Sequence, residues 1–168
     1  REVFSWIACI VVTILLTEFI LNFVIINANI PSGSMENTIM TNDKLIALRT
    51  SYWFNDPKRG DIIIFKYPDD ETEWFIKRVI ALPGETVLVK DGKVYINGSK
   101  KALSEPYIKE EPVEDFGPYK VPKNGYFVMG DNRNNSNDAR EWETHYVSRD
   151  EVLGKAWFRY YPSIKVIK

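Results

Sequence analysis

The N-terminal part of the sequence is a long apolar run. Residues 3–17 carry no charge, and within residues 4–26 only Glu18 is charged. A helix needs about 20 apolar residues, each rising 1.5 Å, to cross a hydrocarbon core about 30 Å thick. The run is long enough if Glu18 lies near one interface, or if further apolar residues precede it. The pattern predicts an uncleaved membrane anchor with its membrane-proximal segment over residues 1–28.

Two other interpretations of this run are open. A cleaved signal peptide would end in a small-x-small site, which the Ile-Asn-Ala-Asn of residues 26–29 does not supply cleanly. A buried core helix fits less well, because the run is uncharged and terminal. Arg1 alone is too little to fix the orientation by the positive-inside rule.

After the apolar run, the pattern changes to short β-branched and aromatic stretches separated by turn residues, which is typical of strands. Asp91-Gly92 between two such stretches predicts a hairpin, and Asn97-Gly98 predicts another turn. No stretch gives a convincing long amphipathic helix. We therefore expect a single, mainly β domain over residues 29–168. The predicted strands are 62–65, 75–80, 86–90, 93–96, 126–129 and 156–161.

Residues 99–124 interrupt this pattern. They are rich in Lys, Glu and Pro, with Glu-Glu-Pro at positions 110–112. Charged and proline-rich segments of this kind are typical of solvated loops. We interpret residues 99–124 as an insertion loop of the β domain.

The charges are closely balanced. The chain has 22 basic and 23 acidic residues and a net charge of −1. Residues 1–28 contain one base and two acids, so the remaining domain is neutral. A nucleic-acid-binding domain would show an excess of bases, so no nucleic-acid partner is expected. A neutral, aromatic-rich domain on an apolar anchor fits work at a lipid membrane surface.

The sequence contains one cysteine, Cys9, and one histidine, His145. This excludes a Cys/His zinc site and an intramolecular disulfide within the sequence. We expect neither a metal nor another cofactor. Cys9 lies in the apolar run and needs no redox role, while His145 is expected to be an ordinary surface or loop residue.

A first candidate for chemistry follows the apolar run directly, at residues 31–35 (Pro-Ser-Gly-Ser-Met). The proline fixes φ and the glycine permits close backbone approach, so a tight turn can present Ser34. In an extended segment, positions two apart share a face, which brings the hydroxyls of Ser32 and Ser34 to one side. One hydroxyl can then attack while the other donates a hydrogen bond. Alone, such a cluster is also typical of an ordinary loop.

Lys77 is the second candidate. Period-2 alternation in its predicted strand puts Lys77 on the same face as Phe75 and Val79. A lysine between apolar neighbours is desolvated, which lowers its pKa and frees the amine to act as a base. The alternative is an edge-strand lysine that reaches for water.

Two further stretches stand out from the strand pattern. Residues 130–140 are rich in short side chains that bond to nearby backbone, which predicts a rigid loop. A calcium loop is a poor alternative, because no register supplies both the central Gly and the final Glu of an EF-hand. Residues 60–65 begin with Gly-Asp and read as a turn entering a strand, with a structural role.

Together and in this order, the four stretches resemble the boxes of bacterial type I signal peptidases of the Ser-Lys kind. The family's Pro-Ser-x-Ser-Met box corresponds to residues 31–35, its Gly-Asp-hydrophobic box starts at Gly60, and its Lys-Arg-Val-x-x-x-Pro-Gly box covers residues 77–84. Its last box starts at Gly130. The short segment between the last two boxes is more similar to Gram-positive members. The resemblance implies one transmembrane helix followed by a compact β-rich catalytic domain.

The resemblance also implies roles for individual residues. Ser34 would be the nucleophile and Lys77 the general base, with Ser32 and the Ser34 backbone N–H as the oxyanion hole. Ser136 would orient the Lys77 amine. The supporting ion pairs and loop hydrogen bonds would come from Arg78, Asp131, Asp138 and Arg140.

The sequence departs from the family pattern at two positions. Asn37 stands where the family usually has proline, which we expect to loosen the loop after the nucleophile. Ala139 stands where the family usually has serine, which removes one supporting hydrogen bond.

By the same resemblance, the substrates are secretory preproteins with small residues at positions −1 and −3 of the cleavage site. The N-terminus would be cytoplasmic and the domain extracytoplasmic, with residues 52–54 (Tyr-Trp-Phe) either at the membrane interface or in the core. Residues 158–161 are expected in a core strand. Two alternatives are a related self-cleaving Ser-Lys peptidase and a membrane-anchored module that binds peptides without cleaving them.

Overall fold

A computed structural model describes residues 2–167 of the chain. The apolar run forms α1 (Glu2–Phe19), which continues as a π-helical turn (Ile20–Val24). The helix over Glu2–Val24 is long and apolar enough to cross a membrane, and none of it is buried against the domain. Glu18 lies near its C-terminal end and accepts a hydrogen bond from Asn22 Nδ2 at 3.1 Å. Glu18 and Asn22 thus lie at the end of the helix that leads into the domain.

Strands dominate the remaining described residues. They are β1 (Ile25–Asn29), β2 (Lys44–Leu48), β3 (Ile62–Tyr67), β4 (Asp70–Ala81), β5 (Thr86–Lys90), β6 (Lys93–Ile96), β7 (Phe116–Lys120), β8 (Gly125–Met129), β9 (Val147–Ser148), β10 (Val152–Tyr161) and β11 (Lys165–Val166). The main sheet has the order β1-β2-β10-β3-β4-β8-β9, with β11 paired to β10, and a smaller sheet has the order β6-β5-β7. The fold is therefore mainly β after one apolar helix, as the sequence predicts.

The hydrophobic core consists of two clusters, one on each face of β3. Ile63 and Phe65 pack into a cluster that joins the main sheet to Val87 and Val89 of the small sheet. Alternate residues of the same strand, such as Ile64, pack into a second cluster under β1 and β2. Because β3 is buried on both faces, it is a continuous apolar run rather than an alternating one.

All six predicted strands are present, within β3, β4, β5, β6, β8 and β10. The hairpin between β5 and β6 is also present, with Asp91 and Gly92 both at positive φ. Asn97 and Gly98 likewise have positive φ, which asparagine and glycine tolerate better than other residues.

The structure divides residues 1–28, predicted as an anchor with its membrane-proximal segment, between the helix and β1. The helix ends at Val24, and residues 25–28 belong to β1, where Ile26 pairs with Ala47 of β2 and is buried. The apolar pattern continues across this boundary because β1 buries part of its residues in the domain. Periodicity cannot separate a membrane helix from a buried strand that follows it directly.

The predicted loop 99–124 is also only partly a loop. It contains β7, which pairs with β5, and it buries Val121. Gly117 and Pro118 lie inside β7, and both residue types argue against a strand in a sequence pattern. Gly117 has φ +90, and a Cβ there would lie 2.7 Å from the Val87 carbonyl oxygen, so the close approach of β5 requires glycine.

The burial of residues 52–54, of residues 158–161 and of His145 can be compared with what the sequence predicts for each. Tyr52 belongs to the core, while Trp53 and Phe54 are exposed. The expectation of a core strand at 158–161 is wrong in part: the segment is strand, but Tyr160 and Tyr161 are exposed because they lie beyond the clusters. His145 is half-buried in a loop, with its Nδ1 2.8 Å from the Ala139 carbonyl oxygen.

Candidate active site

Ser34 lies in a tight turn shortly after β1, and its side chain is buried. The turn is closed by hydrogen bonds from the Glu36 amide to the Gly33 carbonyl and from the Ile39 amide to the Met35 carbonyl. Met35 and Ile39 are almost fully buried in the core cluster under β1 and β2. These two apolar side chains hold the turn in place, so Ser34 is presented from a rigid base.

Lys77 approaches Ser34 from β4. Its Nζ lies 2.7 Å from Ser34 Oγ, and the residue is only 4% exposed. The predicted face-sharing is present, since Lys77 Nζ lies 5.2 Å from the centroid of the Phe75 ring. The alternative of an edge lysine that reaches for water is therefore wrong.

Burial lowers the pKa of Lys77 from 10.5 to about 8, because the ammonium loses its hydration. The negative charge of Asp138 acts in the opposite direction and limits the decrease. A substantial fraction of this amine is thus neutral near physiological pH, which an exposed lysine would not permit.

Ser32 lies beside the same hydroxyl, with its Oγ 3.4 Å from Ser34 Oγ. The turn is held from the other side by Asn132, whose amide donates to the Ser34 carbonyl and whose Nδ2 donates to the Gly33 carbonyl, both at 3.0 Å. Asn132 was not singled out from the sequence. Its position inside the stretch 130–140 was the available signal.

Arg78, next to Lys77, forms a bidentate ion pair with Asp131 at 2.8 and 2.7 Å. Both side chains are buried, and the Thr38 hydroxyl also donates to Asp131. Arg78 donates a further hydrogen bond to the Gly60 carbonyl at 2.8 Å. Arg78 therefore joins the strand of Lys77 to the stretch that begins at Gly60 and to the stretch that begins at Gly130.

Gly60 and Asp61 fasten β4 through its backbone. The Gly60 amide donates to the Val79 carbonyl at 2.8 Å, and the Val79 amide donates to the Asp61 carbonyl at 2.9 Å. The Asp61 carboxylate accepts hydrogen bonds from Tyr52 and Lys155. These contacts give the Gly-Asp stretch the structural role expected from the sequence.

Asp138 is fully buried and organises the loop 130–140. Its carboxylate accepts a hydrogen bond from the Gly130 amide at 2.9 Å and pairs with the Arg140 guanidinium, also at 2.9 Å. Arg140 in turn donates to the Arg133 carbonyl at 2.6 Å. The self-bonded, rigid loop predicted for this stretch is present.

Ser136 is buried close to this turn, but within residues 2–167 its Oγ has no hydrogen-bond partner. A Cβ on Gly130 would collide with the Ser136 side chain and with the Ser34 carbonyl oxygen. Glycine at 130 thus allows the loop to approach the Ser34 turn closely. The hydrogen bond expected from Ser136 to the Lys77 amine is not formed in this state.

The segment interpreted as a solvated loop supplies a contact that the sequence analysis missed. Glu105 and Arg133 form an almost fully buried ion pair, and the Tyr107 ring lies 3.9 Å from the Arg78 guanidinium. Charged residues in a proline-rich stretch usually face water, so the pattern gave no sign of this packing. The aromatic Tyr107 inside a charged stretch was the one available signal.

Asn37 has φ +88, a conformation that proline cannot adopt. Its Nδ2 donates to the Tyr107 carbonyl at 2.7 Å, which ties the turn to the missed segment. The expectation that this position loosens the loop therefore receives no support from the geometry. Ala139 is fully buried, and its carbonyl accepts the contact from His145 described above.

An open cavity of about 380 Å³ lies directly at the two reactive side chains, lined among others by Ser32, Ser34 and Lys77. A second cavity of about 230 Å³ continues between β1 and the β4 residues Trp74, Phe75 and Ile76. A substrate carbonyl can therefore reach a hydroxyl that lies beside a partly neutral amine, which is the arrangement of an activated serine nucleophile. Among the described residues, no group of His, Cys, Asp and Glu is arranged to hold a metal ion.

The chain is similar to a consistent set of known proteins. The family description "Signal peptidase, peptidase S26" matches residues 3–161. A probable signal peptidase I-2 of Synechocystis sp. is 44% identical over 161 residues, covering 93% of this chain and 72% of that protein. The signal peptidase I of Bacillus licheniformis is 35% identical over 178 residues, covering 100% and 94% of the two chains.

Among solved structures, a signal peptidase I from Enterococcus faecalis matches with a TM-score of 0.52 and 36% identity. The match covers 60% of this chain and 97% of that one. The family match spans nearly the whole chain, including the apolar helix and all four stretches. The chain therefore belongs to the signal peptidase I family, peptidase family S26, and is a membrane-anchored serine endopeptidase.

Proposed function

We propose that this protein removes signal peptides from secretory preproteins, with Ser34 as the nucleophile and Lys77 as the general base. The observation that carries this assignment is the 2.7 Å distance between Lys77 Nζ and Ser34 Oγ in a buried position at the end of an open cavity. The lowered pKa of Lys77 supplies the neutral amine that the role needs.

In the proposed reaction, neutral Lys77 takes the proton of Ser34 Oγ as this oxygen attacks the scissile carbonyl carbon. The tetrahedral intermediate then collapses, and the Lys77 ammonium donates its proton to the leaving amine. Water subsequently attacks the ester, again with Lys77 as the base, and regenerates Ser34.

The negative charge that develops on the carbonyl oxygen needs donors that are already in place. We assign this role to the Ser32 hydroxyl and the Ser34 backbone N–H, and the 3.4 Å spacing of the two hydroxyls supports it. Asp131, Arg78, Asp138 and Arg140 are proposed as supporting residues, consistent with their buried ion pairs. Ser136, whose hydroxyl has no partner among residues 2–167, is proposed to meet the Lys77 amine when substrate is bound.

The substrate is proposed to bind as an extended strand. Within the described part of the chain, residues 2–167, β1 pairs only with β2 and residues 70–77 of β4 pair only with β3. Among these residues both strands therefore have a free edge beside the second cavity. A peptide laid between these edges can bond to both backbones, as in β-strand addition. We propose small residues at positions −1 and −3 of the substrate, as the resemblance to the family implies.

The domain is proposed to lie outside the cytoplasm, with the helix spanning the membrane from a cytoplasmic N-terminus and the membrane lipid as a partner. Residues 29–168 are proposed as the catalytic unit, and β1 (Ile25–Asn29) extends its sheet towards the helix by pairing with β2. Exposed Trp53 and Phe54 are candidates for contact with the interface. Tethering raises the enzyme's effective concentration at the cleavage sites of membrane-inserted signal peptides.

The proposal is tested by incubating the purified full chain with a preprotein that carries alanine at positions −1 and −3. The unaltered chain is expected to release one product with a defined N-terminus, and Ser34→Ala is expected to reduce cleavage by about 10⁴-fold or more. Ser104→Ala is the matched control, because Ser104 is exposed and lies outside the site.

Equal cleavage by the unaltered chain and Ser34→Ala would contradict the assignment of the nucleophile. Binding of the preprotein without cleavage by either protein would instead favour a peptide-binding module. Replacing the alanine at −1 by tryptophan tests the substrate proposal, since it is expected to abolish cleavage.

A further inference from the structure

The open cavity at the reactive side chains has one acidic residue in its wall, Glu73. Of the described residues that line this cavity, only Glu73 and Lys77 have an ionisable side chain. Neither of them lines the second cavity, to which β4 contributes Trp74, Phe75 and Ile76. Glu73 is exposed, so its carboxylate is open to a bound substrate.

Glu73 shares one face of β4 with Phe75 and Lys77. Successive side chains of a strand point to opposite faces, so positions 73, 75 and 77 point the same way. The contacts agree, because Lys77 Nζ lies over the Phe75 ring and this ring stacks on Tyr67 at 4.5 Å. Burial raises the pKa of Tyr67, and the negative charge of Glu73 is among those that raise it further. Glu73 therefore continues the face that presents the reactive amine.

The charge of Glu73 is not neutralised within the described residues. Among residues 2–167, its carboxylate has no ion-pair partner. The negative charges of Asp69 and Glu143 lie nearby, since they too add to the effect of burial on the pKa of Tyr67. Hydrogen bonds from the Glu143 and Thr144 amides hold Asp69 without cancelling its charge. This end of the cleft therefore has a negative potential, which attracts a cationic side chain and repels an acidic one.

The free edge of β4 sets the register of a bound substrate. Residues 78–81 of β4 pair with β8, whereas among residues 2–167 those at 70–77 pair only with β3. The scissile carbonyl belongs to substrate position −1 and must lie at Ser34 Oγ, next to Lys77, at the C-terminal end of this edge. The segment before the cleavage site therefore extends along β4 towards Asp70.

The alternation of side chains then pairs substrate positions with residues of β4. An extended chain rises about 3.3 Å per residue, so position −4 lies about 10 Å beyond position −1. With −1 beside Ile76 and −3 beside Trp74, these two side chains face the second cavity. Positions −2 and −4 then face the first cavity, beside Phe75 and Glu73 respectively.

We propose that Glu73 determines specificity at position −4, where it favours lysine or arginine and disfavours aspartate or glutamate. This inference rests on the proposed function and adds a charge preference to the small residues proposed at −1 and −3. Because Glu73 is exposed, the preference is modest and weakens as the salt concentration rises.

The test compares two preproteins that carry alanine at −1 and −3 and have either lysine or glutamate at −4. For the unaltered full chain in detergent, kcat/KM is expected to be about fivefold higher with lysine, as an exposed ion pair permits. Glu73→Gln should reduce this ratio to less than about twofold, and Glu73→Lys should invert it. Asp150→Asn removes an exposed carboxylate that does not line the cavity and should keep the ratio.

A second comparison places lysine or glutamate at −5, whose side chain points to the opposite face of the bound strand. This change should alter kcat/KM by less than about twofold. The same ratio for the −4 pair in the unaltered chain, Glu73→Gln and Glu73→Lys would overturn the proposal. A preference of the unaltered chain for glutamate at −4 would also overturn it.

Peptide binding separates this inference from the proposed function. Labelled peptides with lysine or glutamate at −4 are titrated with Ser34→Ala and with Ser34→Ala/Glu73→Gln, and fluorescence anisotropy gives each Kd. Tighter binding of the lysine peptide that disappears with Glu73→Gln, without cleavage of either preprotein by the unaltered chain, contradicts the proposed cleavage alone. Equal or undetectable binding of the two peptides to Ser34→Ala counts against the role of Glu73.

Discussion

Arg78 and Asp131 form a buried bidentate ion pair that joins the strand of Lys77 to the loop packed on the Ser34 turn. The two hydrogen bonds measure 2.8 and 2.7 Å, and the side chains are 3% and 0% exposed. Geometry of this quality is needed to compensate for the desolvation of two charges. The relative position of Ser34 and Lys77 therefore depends on a contact that lies outside the pair itself.

Asp131→Asn is expected to lower the free energy of unfolding by about 3–5 kcal/mol, because it leaves the charge of Arg78 buried without its counter-charge. The measurement is urea denaturation of the full chain in detergent, followed by tryptophan fluorescence. Asp150→Asn, at an exposed position, is the control and should change stability by less than about 0.5 kcal/mol. A similarly small change for Asp131→Asn would show that the ion pair contributes little.

Asn37→Pro is expected to destabilise the turn after Ser34, although proline is usual there in the family. The φ of +88 at Asn37 is incompatible with the proline ring, and the hydrogen bond to the Tyr107 carbonyl is lost. We expect a loss of more than about 1 kcal/mol, measured by thermal unfolding. Asn37→Gly keeps the backbone conformation accessible and should lose less. A proline variant as stable as the unaltered chain would contradict this account of the turn.

Phe75→Leu is expected to move the acidic limb of the rate–pH profile to lower pH. The face of the Phe75 ring stabilises the ammonium form of Lys77, and a desolvated cation–π contact contributes about 2 kcal/mol. Removing it makes the ammonium less favourable, so the pKa of Lys77 falls by up to about 1.5 units, at about 1.36 kcal/mol per unit. Phe75→Tyr keeps the ring and should keep the profile. A limb that stays in place or moves to higher pH in Phe75→Leu would refute the contribution of the ring.

Lys77→Met is expected to make the protein more stable near pH 7 while abolishing cleavage. The pKa of Lys77 is about 8 in the folded protein and 10.5 in the unfolded chain, so the unfolded chain binds more protons between these values. Stability therefore rises with pH across this window, and below about pH 8 the buried lysine costs about 3 kcal/mol. Urea denaturation at pH 7 and pH 10 measures the difference, with exposed Lys123→Met as the control. A gain that does not shrink towards pH 10 would contradict the linkage.

The sequence was sufficient to predict the strands with strong β-branched patterns, the hairpin at Asp91-Gly92 and the membrane helix. It could not locate the end of the helix, because Ile25 and Ile26 are apolar for a different reason than the residues before them: they enter the sheet. It also missed β7, whose Gly117 and Pro118 are typical of loops but are tolerated beside β5. In both cases tertiary packing overrides the local pattern.

For the site, the order of the stretches predicted that Ser34 and Lys77 meet, and their side chains lie within hydrogen-bond distance. Asn132 and Tyr107 were missed because their contributions arise from backbone and ring contacts across distant segments. Such contacts leave no spacing signal in a single sequence. The expected contact between Ser136 and Lys77 stays a prediction.

The most direct test of the Ser34–Lys77 assignment is the pH dependence of preprotein cleavage by the full chain under single-turnover conditions. Because only the neutral amine of Lys77 accepts the Ser34 proton, the rate should rise about tenfold per pH unit at low pH and level off above about pH 8. Lys77→Ala should lose this activity at every pH. A profile that is flat between pH 6 and pH 9, or a Lys77→Ala variant that cleaves at near-normal rates, would contradict the assignment.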